Sequence, residues 1–485
     1  MPAMPIGRIP AYWAALGADK PAITHEGRTV SWAEFDASTN RLARAYEKLG
    51  VKEGDLVTIG LPNSIEFYEA CFATWKLGAT PQPISARLPQ AEREMIVEVA
   101  APSLVVGAPE GAHGAVTCID AGFAPDASLS DTELPEKTAR YWKAPTSGGS
   151  TGRPKIIVSN DPGAFDPLEP RLQQEVGRAQ LVPGPLYHNG PFSFSIMGLM
   201  RGNHIVVMTR FDAEETLKLL AAHKVDWVML VPTMMHRIWN LPEEVRNKYD
   251  LSHLRIMLHL AAPCPAWLKE KWIEWLGPAR VHELYGGTEA QGATWISGEE
   301  WLAHRGSVGK PAETCEMKIV GEDGRTLGPR ETGEVYMRPL SGPGTTYHYL
   351  GATSKQIEGG WESIGDIGWM DEDGYLYLAD RHTDMILAGG ANIYPAEVEA
   401  AIDAFPGVRS SAVIGLPDED MGNKIHAIVD APDGFDEAAL RAHLGERLVR
   451  YKIPRSFERA HEPLRDDAGK LRRSALRAER IKALQ

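Results

Sequence analysis

Apolar positions along the chain follow two alternating periods. From Ser31 the stretch SWAEFDASTNRLARAYEKLG carries Phe35, Leu42, Tyr46 and Leu49 on one helical stripe. Ser31 and Glu34 stand at capping-box spacing, and Gly50 ends the run. LVTIGLP, residues 56–62, is a short unbroken apolar run with the length of a buried strand. A second helix opens at Ser64 and closes at Gly78. SLVVG, HIVVM, DWVMLVP and RIMLHLAA repeat the strand pattern, and helical stretches such as DAEETLKLLAAHK fall between some of them. This alternation predicts parallel sheets covered by helices, with ligands bound in the loops beyond the carboxyl ends of the strands.

From about residue 310 the texture changes. Glycine-rich turns separate the short strands of MKIVGEDGRTLG, GEVYMRP and GYLYLADR, which predict a β-rich subdomain. After Arg381 comes a compact α+β tail. It has a helix opened by Pro395, strands in SAVIGLP and KIHAIVD, and a helix over DEAALRAHLGERLVR. The expected fold class is α/β, with a large domain over residues 1–382 and a small mobile α+β domain over residues 383–485.

Composition narrows the function. A chain of 485 residues is too long for one ordinary core. Its formal net charge of -14 argues against a general nucleic-acid or anionic-membrane binder, because phosphate contacts need a basic surface. Cys71, Cys118, Cys264 and Cys315 lie far apart without metal spacing, which predicts reduced thiols in a cytoplasmic protein. The first residues lack the pattern of a signal peptide, and no apolar run has the length of a membrane span.

Five stretches carry candidate chemistry. TSGGSTGRPK, residues 146–155, is rich in glycine and hydroxyls. Such a loop lets amides and hydroxyls wrap phosphate oxygens, though it departs from the Walker pattern and also reads as a flexible linker. ELYGGTEA offers a flat ring in Tyr285 and a hard oxygen ligand for Mg²⁺ in Glu289; alone it also reads as a turn. GDIGWMDEDGYLYLADR contains Asp366, suited to a ribose diol, and Arg381, suited to phosphate or ribose oxygens. Gly389 and Gly390 join an apolar run to a helix start, where backbone could line a narrow channel. Lys470, in DDAGKLRR, is by itself an ordinary turn lysine.

The order and spacing of these five stretches resemble the adenylate-forming superfamily of acyl-CoA synthetases, nonribosomal-peptide adenylation domains and luciferases. The likeness runs over nearly the whole length. It implies a large N-terminal domain of two stacked α/β sheets plus the β-rich subdomain, and a C-terminal domain that rotates. It implies that Thr146, Ser147, Gly148, Gly149, Ser150, Thr151, Gly152 and Lys155 embrace the β- and γ-phosphates of ATP. Tyr285 would stack on adenine, Thr288 would contact the α-phosphate and Glu289 would hold Mg²⁺. Asp366 and Arg381 would bind the ribose and phosphate. Lys470 would bridge the substrate carboxylate and the α-phosphate, and His188 would line and gate the acyl pocket. Gly389 and Gly390 would line the pantetheine channel for CoA. The hinge position, most often Asp or Lys in the family, is Thr383 here.

The implied function is that of an ATP-dependent acid–CoA ligase. It would activate a small-molecule carboxylic acid as acyl-AMP and pass the acyl group to CoA. The alternative is an adenylating enzyme of the same fold that loads a carrier protein. The segments around His188, with Phe192, Phe194, Met234, Met235 and Trp239, are mostly apolar and point to an apolar acid. Similarity to bacterial bile-acid or steroid-type ligases is the expected subtype, with aromatic and medium-chain acids left open. Association as a homodimer is also left open.

Overall fold

The structure, a computed structural model, describes residues 3–148, 154–169, 171–381, 384–388, 391–418, 422–432, 435–466 and 469–483. Gly149, Ser150, Thr151, Gly152, Thr383, Gly389 and Gly390 therefore lie outside the described residues.

The predicted N-terminal helices form. Trp32–Lys48 starts on a complete capping box, with the Glu34 N–H donating to Ser31 Oγ at 3.2 Å and the Ser31 N–H donating to Glu34 Oε2 at 2.8 Å. Ile65–Lys76 is capped by Ser64, whose Oγ accepts from the Phe67 N–H. The two helices pack through Phe35 and Phe72, whose rings meet edge to face at 5.1 Å.

The strands Val281–Gly286, Ile256–His259, Trp227–Leu230, Ala179–Val182, His204–Val207 and Pro21–His25 lie side by side in that order, each parallel to its neighbour. A second parallel sheet orders Thr80–Pro83, Leu56–Ile59, Leu104–Val106 and Thr117–Ile119. The expected strand over residues 56–62 spans only Leu56–Ile59, its last ladder bond running from the Gly60 N–H to the Val106 carbonyl.

One helix, Asn189–Met200, joins the two cores. Its Phe192, Ile196 and Leu199 pack with Phe67, Trp75 and Leu104, while its Phe194 packs with Trp227 and Met229. A helix apolar all round is what a position between two layers requires.

The β-rich region is not detached from the parallel sheet. Val281–Gly286 pairs antiparallel with Ala293–Ser297, which pairs with Ser307–Pro311, which in turn meets Leu376–Arg381. The run of hydrogen-bonded strands therefore continues from one into the other. The tail has its own sheet of Ser410–Asp418, Gly422–Asp430 and Ser456–Arg459, and a separate core around Val398, Ile402, Val413 and Leu440. Its helix opened by Pro395 spans Pro395–Asp403 as expected. The following one ends at Gly445 rather than running to residue 450, where glycine removes helical preference.

Candidate active site

The carboxyl ends of the central strands gather the chemistry. His188 follows Ala179–Val182, Val231 and Thr233 follow Trp227–Leu230, and Thr288 and Glu289 follow Val281–Gly286. Parallel strands bring loops distant in sequence to one edge, which is why the site assembles there.

Thr146–Gly148 and Pro154–Ser159 form an antiparallel pair, with Ser147 opposite Lys155, so the glycine-rich loop is the connection of a hairpin. Thr146 Oγ1 accepts a hydrogen bond from Gln82 Nε2 at 2.8 Å. Pairing with Tyr347–Leu350 on the other side brings Tyr349 near Lys155. Lys155 Nζ lies 3.2 Å from Glu289 Oε1 and 3.0 Å from the Tyr349 hydroxyl, which donates to the same Glu289 oxygen at 2.5 Å. Burial and the Glu289 carboxylate push the Tyr349 phenol well above its usual range. The lysine expected at the phosphates and the expected metal ligand are thus already in contact.

Glu289 is buried, and two residues on Gln291 is buried with neither amide atom hydrogen-bonded among the described residues. Gly287 lies over them, since a Cβ there would stand 2.8 Å from Glu289 Oε2. One carboxylate beside an orphaned amide fits Mg²⁺, which keeps several waters and takes its other ligands from substrate phosphates.

Tyr285 donates its hydroxyl to Asp366 Oδ2 at 2.7 Å. Asp366 pairs across the strands with Arg381. The ring expected against adenine and the two residues expected at the ribose thus share one corner. Thr288 sits half-buried between Tyr285 and Glu289 in sequence.

The tail contributes from the opposite side. Arg465 bridges Leu471, so Gly469 and Lys470 lie where the chain turns back, and the Lys470 N–H donates to Asp466 Oδ1 at 2.9 Å. Gly469 has φ +76°, and a Cβ there would approach Val231 Cγ2 and Thr233 Oγ1 to 3.1 Å. The left-handed backbone favours glycine, and a side chain would also crowd this close seating. His236 Nδ1 lies 3.1 Å from the Arg409 carbonyl, a second contact between the same two parts. His188 feels the turn: burial, then the positive charges of Lys470 and Arg472, push its imidazole down to about 3. It is neutral at every ordinary pH.

Below His188 lies a residue that sequence reasoning missed. Lys143 is buried, with Nζ donating to Asn189 Oδ1 at 2.5 Å and to Ser193 Oγ at 2.8 Å, and standing 4.3 Å from the Trp142 ring centroid. Burial pushes it down to about 7. Its only signal in the sequence is a lone lysine in the run YWKAP. Of the apolar residues expected at the acyl pocket, Phe192 and Met235 are wholly buried in core packing. Phe194 borders a small cavity with Gly184, Pro191 and Met229. Arg201, just beyond the same helix, is also buried and donates from Nε to the Gln174 carbonyl at 2.8 Å.

A glycine-rich hairpin, a carboxylate suited to Mg²⁺ and a lysine turn seated against the strand ends are the parts expected of an adenylating enzyme. The family model described as AMP-binding enzyme matches residues 11–350, and that described as AMP-binding enzyme C-terminal domain matches residues 397–468. The chain belongs to the AMP-binding enzyme family. A feruloyl-CoA synthase from an Amycolatopsis species is 31% identical over 470 residues, covering 93% of this chain and 94% of that protein. A 2-succinylbenzoate–CoA ligase from Geobacillus kaustophilus is 32% identical over 488 residues, covering 96% of each. The solved structure of o-succinylbenzoate coenzyme A synthetase from Bacillus subtilis with ATP and magnesium matches with a TM-score of 0.81 at 26% identity, over 98% of this chain and 99% of that one. The expected fold and the expected AMP-forming acid–CoA ligase activity are borne out, and the carrier-protein alternative is not favoured.

Proposed function

We propose that the protein ligates a ring-bearing apolar acid, of aryl or steroid type, to CoA. Relatives named for feruloyl and succinylbenzoate groups support a ring, and Phe194, Pro191 and Met229 beside the small cavity support an apolar one. The four cysteines are free thiols, which suits a reducing, cytoplasmic setting. We divide the chain into residues 1–382 and 383–485, a reading supported by the separate core of the tail.

The observation that carries the mechanism is the seating of Gly469 against Val231 and Thr233, which brings Lys470 within electrostatic reach of His188. In this arrangement a substrate carboxylate oxygen attacks the α-phosphorus of ATP, and the bond to the pyrophosphate oxygen breaks. Lys470 steadies the carboxylate and the α-phosphoryl oxygens, with Thr288 on the same phosphate. Lys155 and the loop of Thr146, Ser147, Gly148, Gly149, Ser150, Thr151 and Gly152 hold the departing pyrophosphate. Glu289 would hold Mg²⁺, which when bound would offset charge on the phosphate oxygens. Tyr285, Asp366 and Arg381 fix the nucleoside. The tail then swings about Thr383, withdrawing Lys470 and bringing Gly389 and Gly390 to the pantetheine channel. The CoA thiolate attacks the acyl carbon, and AMP leaves.

The test is mass detection of acyl-CoA and AMP with ATP, Mg²⁺, CoA and a panel of fatty, aryl and steroid-type acids. Thioester from aryl or steroid acids is expected. Turnover of straight-chain acids alone would overturn the ring-bearing class. AMP without thioester would overturn CoA as acceptor.

A further inference from the structure

The lysine turn is held from behind by a buried ion network. Glu399, on the helix Pro395–Asp403, is buried beneath it. Its Oε1 accepts from the Val413 N–H at 2.8 Å and from Arg473 Nη1, and its Oε2 lies 3.3 Å from Arg465 Nη2. Arg465 Nη1 donates to the Gly469 carbonyl at 3.2 Å, one residue before Lys470. Arg473 Nε stands 3.5 Å from Asp384 Oδ2, next to the hinge position Thr383. One carboxylate thus connects the hinge end of the tail, through Arg473, to the lysine turn, through Arg465.

The Lys470 side chain is exposed, so the geometry of its reaction comes from the turn that presents it. That turn packs so closely on Val231 and Thr233 that a Cβ at Gly469 would stand 3.1 Å from each. A shift on the order of 1 Å in a positioning element costs about 100-fold in rate. A guanidinium fork can bind a carboxylate and a carbonyl at once, which an ammonium on the same stem cannot reproduce.

We propose that Glu399 is a positioning residue for the adenylation half-reaction, acting through Arg465 on the Gly469–Lys470 turn. The proposal rests on the reading of Lys470 as the adenylation lysine. Substrate contacts belong to other residues, so the effect falls on turnover rather than on binding.

The experiment compares Glu399→Gln, Lys470→Ala and the double variant of the full chain in two assays. One is acid-dependent pyrophosphate release; the other is thioester formation from pre-made acyl-AMP and CoA. Glu399→Gln is expected to lower kcat for adenylation about 10–100-fold with KM for ATP within about 3-fold, and to change thioester formation less than about 3-fold. The double variant is expected to be no slower in adenylation than Lys470→Ala, since both act through one group. Multiplied effects in the double variant, or equal loss in both half-reactions, would overturn the proposal. Unimpaired adenylation by Lys470→Ala would overturn the underlying reading of the lysine, and this proposal with it. Arg465→Lys, which keeps a cation beside Glu399 but loses the fork onto the Gly469 carbonyl, repeats the test should Glu399→Gln not fold. The same split is expected from it, and its absence in a folded Arg465→Lys would overturn the role.

Discussion

Lys155 Nζ lies 3.2 Å from Glu289 Oε1, although 134 residues separate them in the chain. The lysine closes the glycine-rich hairpin and the glutamate follows a central parallel strand, so the proposed phosphate loop and the proposed metal ligand form one unit. Tyr349 completes it by donating to the same oxygen. Loss of a hydrogen bond to a charged group costs about 1.5–3 kcal/mol, or about 10–100-fold. Tyr349→Phe is therefore expected to lower kcat/KM for ATP by about that factor. Glu289→Gln is expected to raise the Mg²⁺ concentration needed for half-maximal rate. Initial rates across a magnesium titration check both.

Lys470→Ala is expected to cripple acyl-AMP formation, by about 100-fold or more, while largely sparing thioester formation from acyl-AMP. The reason is geometric: in the arrangement described here its turn is seated against Val231 and Thr233, at the end of a central strand. Equal loss in both assays would contradict the role.

His188 is held neutral by burial and by the charges of Lys470 and Arg472. With its imidazole pushed down to about 3, protonation contributes nothing to catalysis between pH 6 and 9. His188→Asn should change KM for the acid and leave the shape of the pH–rate profile unchanged. A step near pH 6.5 that disappears in the variant would show a charged role instead.

Lys143 makes stability depend on pH. Its folded pKa, about 7, lies below its ordinary value of 10.5. Below pH 7 the folded state must bury the charge. From about 7 to 10.5 the unfolded chain holds a proton that the folded chain has released, so stability rises with pH. The gain over that window is on the order of 3–5 kcal/mol. Lys143→Met removes this dependence, and the difference in stability between wild type and variant should shift in favour of wild type as pH rises from 7 to 10. Urea unfolding at several pH values measures it.

Much of the fold was legible because its signals are local. Ser31 and Glu34 lie three residues apart and form both capping bonds regardless of what packs on the helix. Short apolar runs separated by helical stretches announced buried parallel strands, and glycine turns announced the β-rich region. What the pattern could not carry was the joining of that region to the parallel sheet through Ser307–Pro311, because strand pairing is set by partners distant in sequence. Similarly, Gly445 shortened a helix whose apolar spacing continued past it.

The sequence by itself determined the inventory of the proposed site: the hydroxyl- and glycine-rich loop, Tyr285, Glu289, Asp366, Arg381 and Lys470 are recognisable by type and order. Only tertiary structure decided their partners. The bond from Tyr285 to Asp366 joins groups 81 residues apart, and the Arg465–Glu399 pair spans 66. No period or spacing encodes such contacts, since they arise where the carboxyl ends of parallel strands and the packed tail converge. Lys143 states the same limit most plainly: its type suggests a solvated surface group, and only the layers closing over it turn it into a buried donor beneath the helix that follows His188.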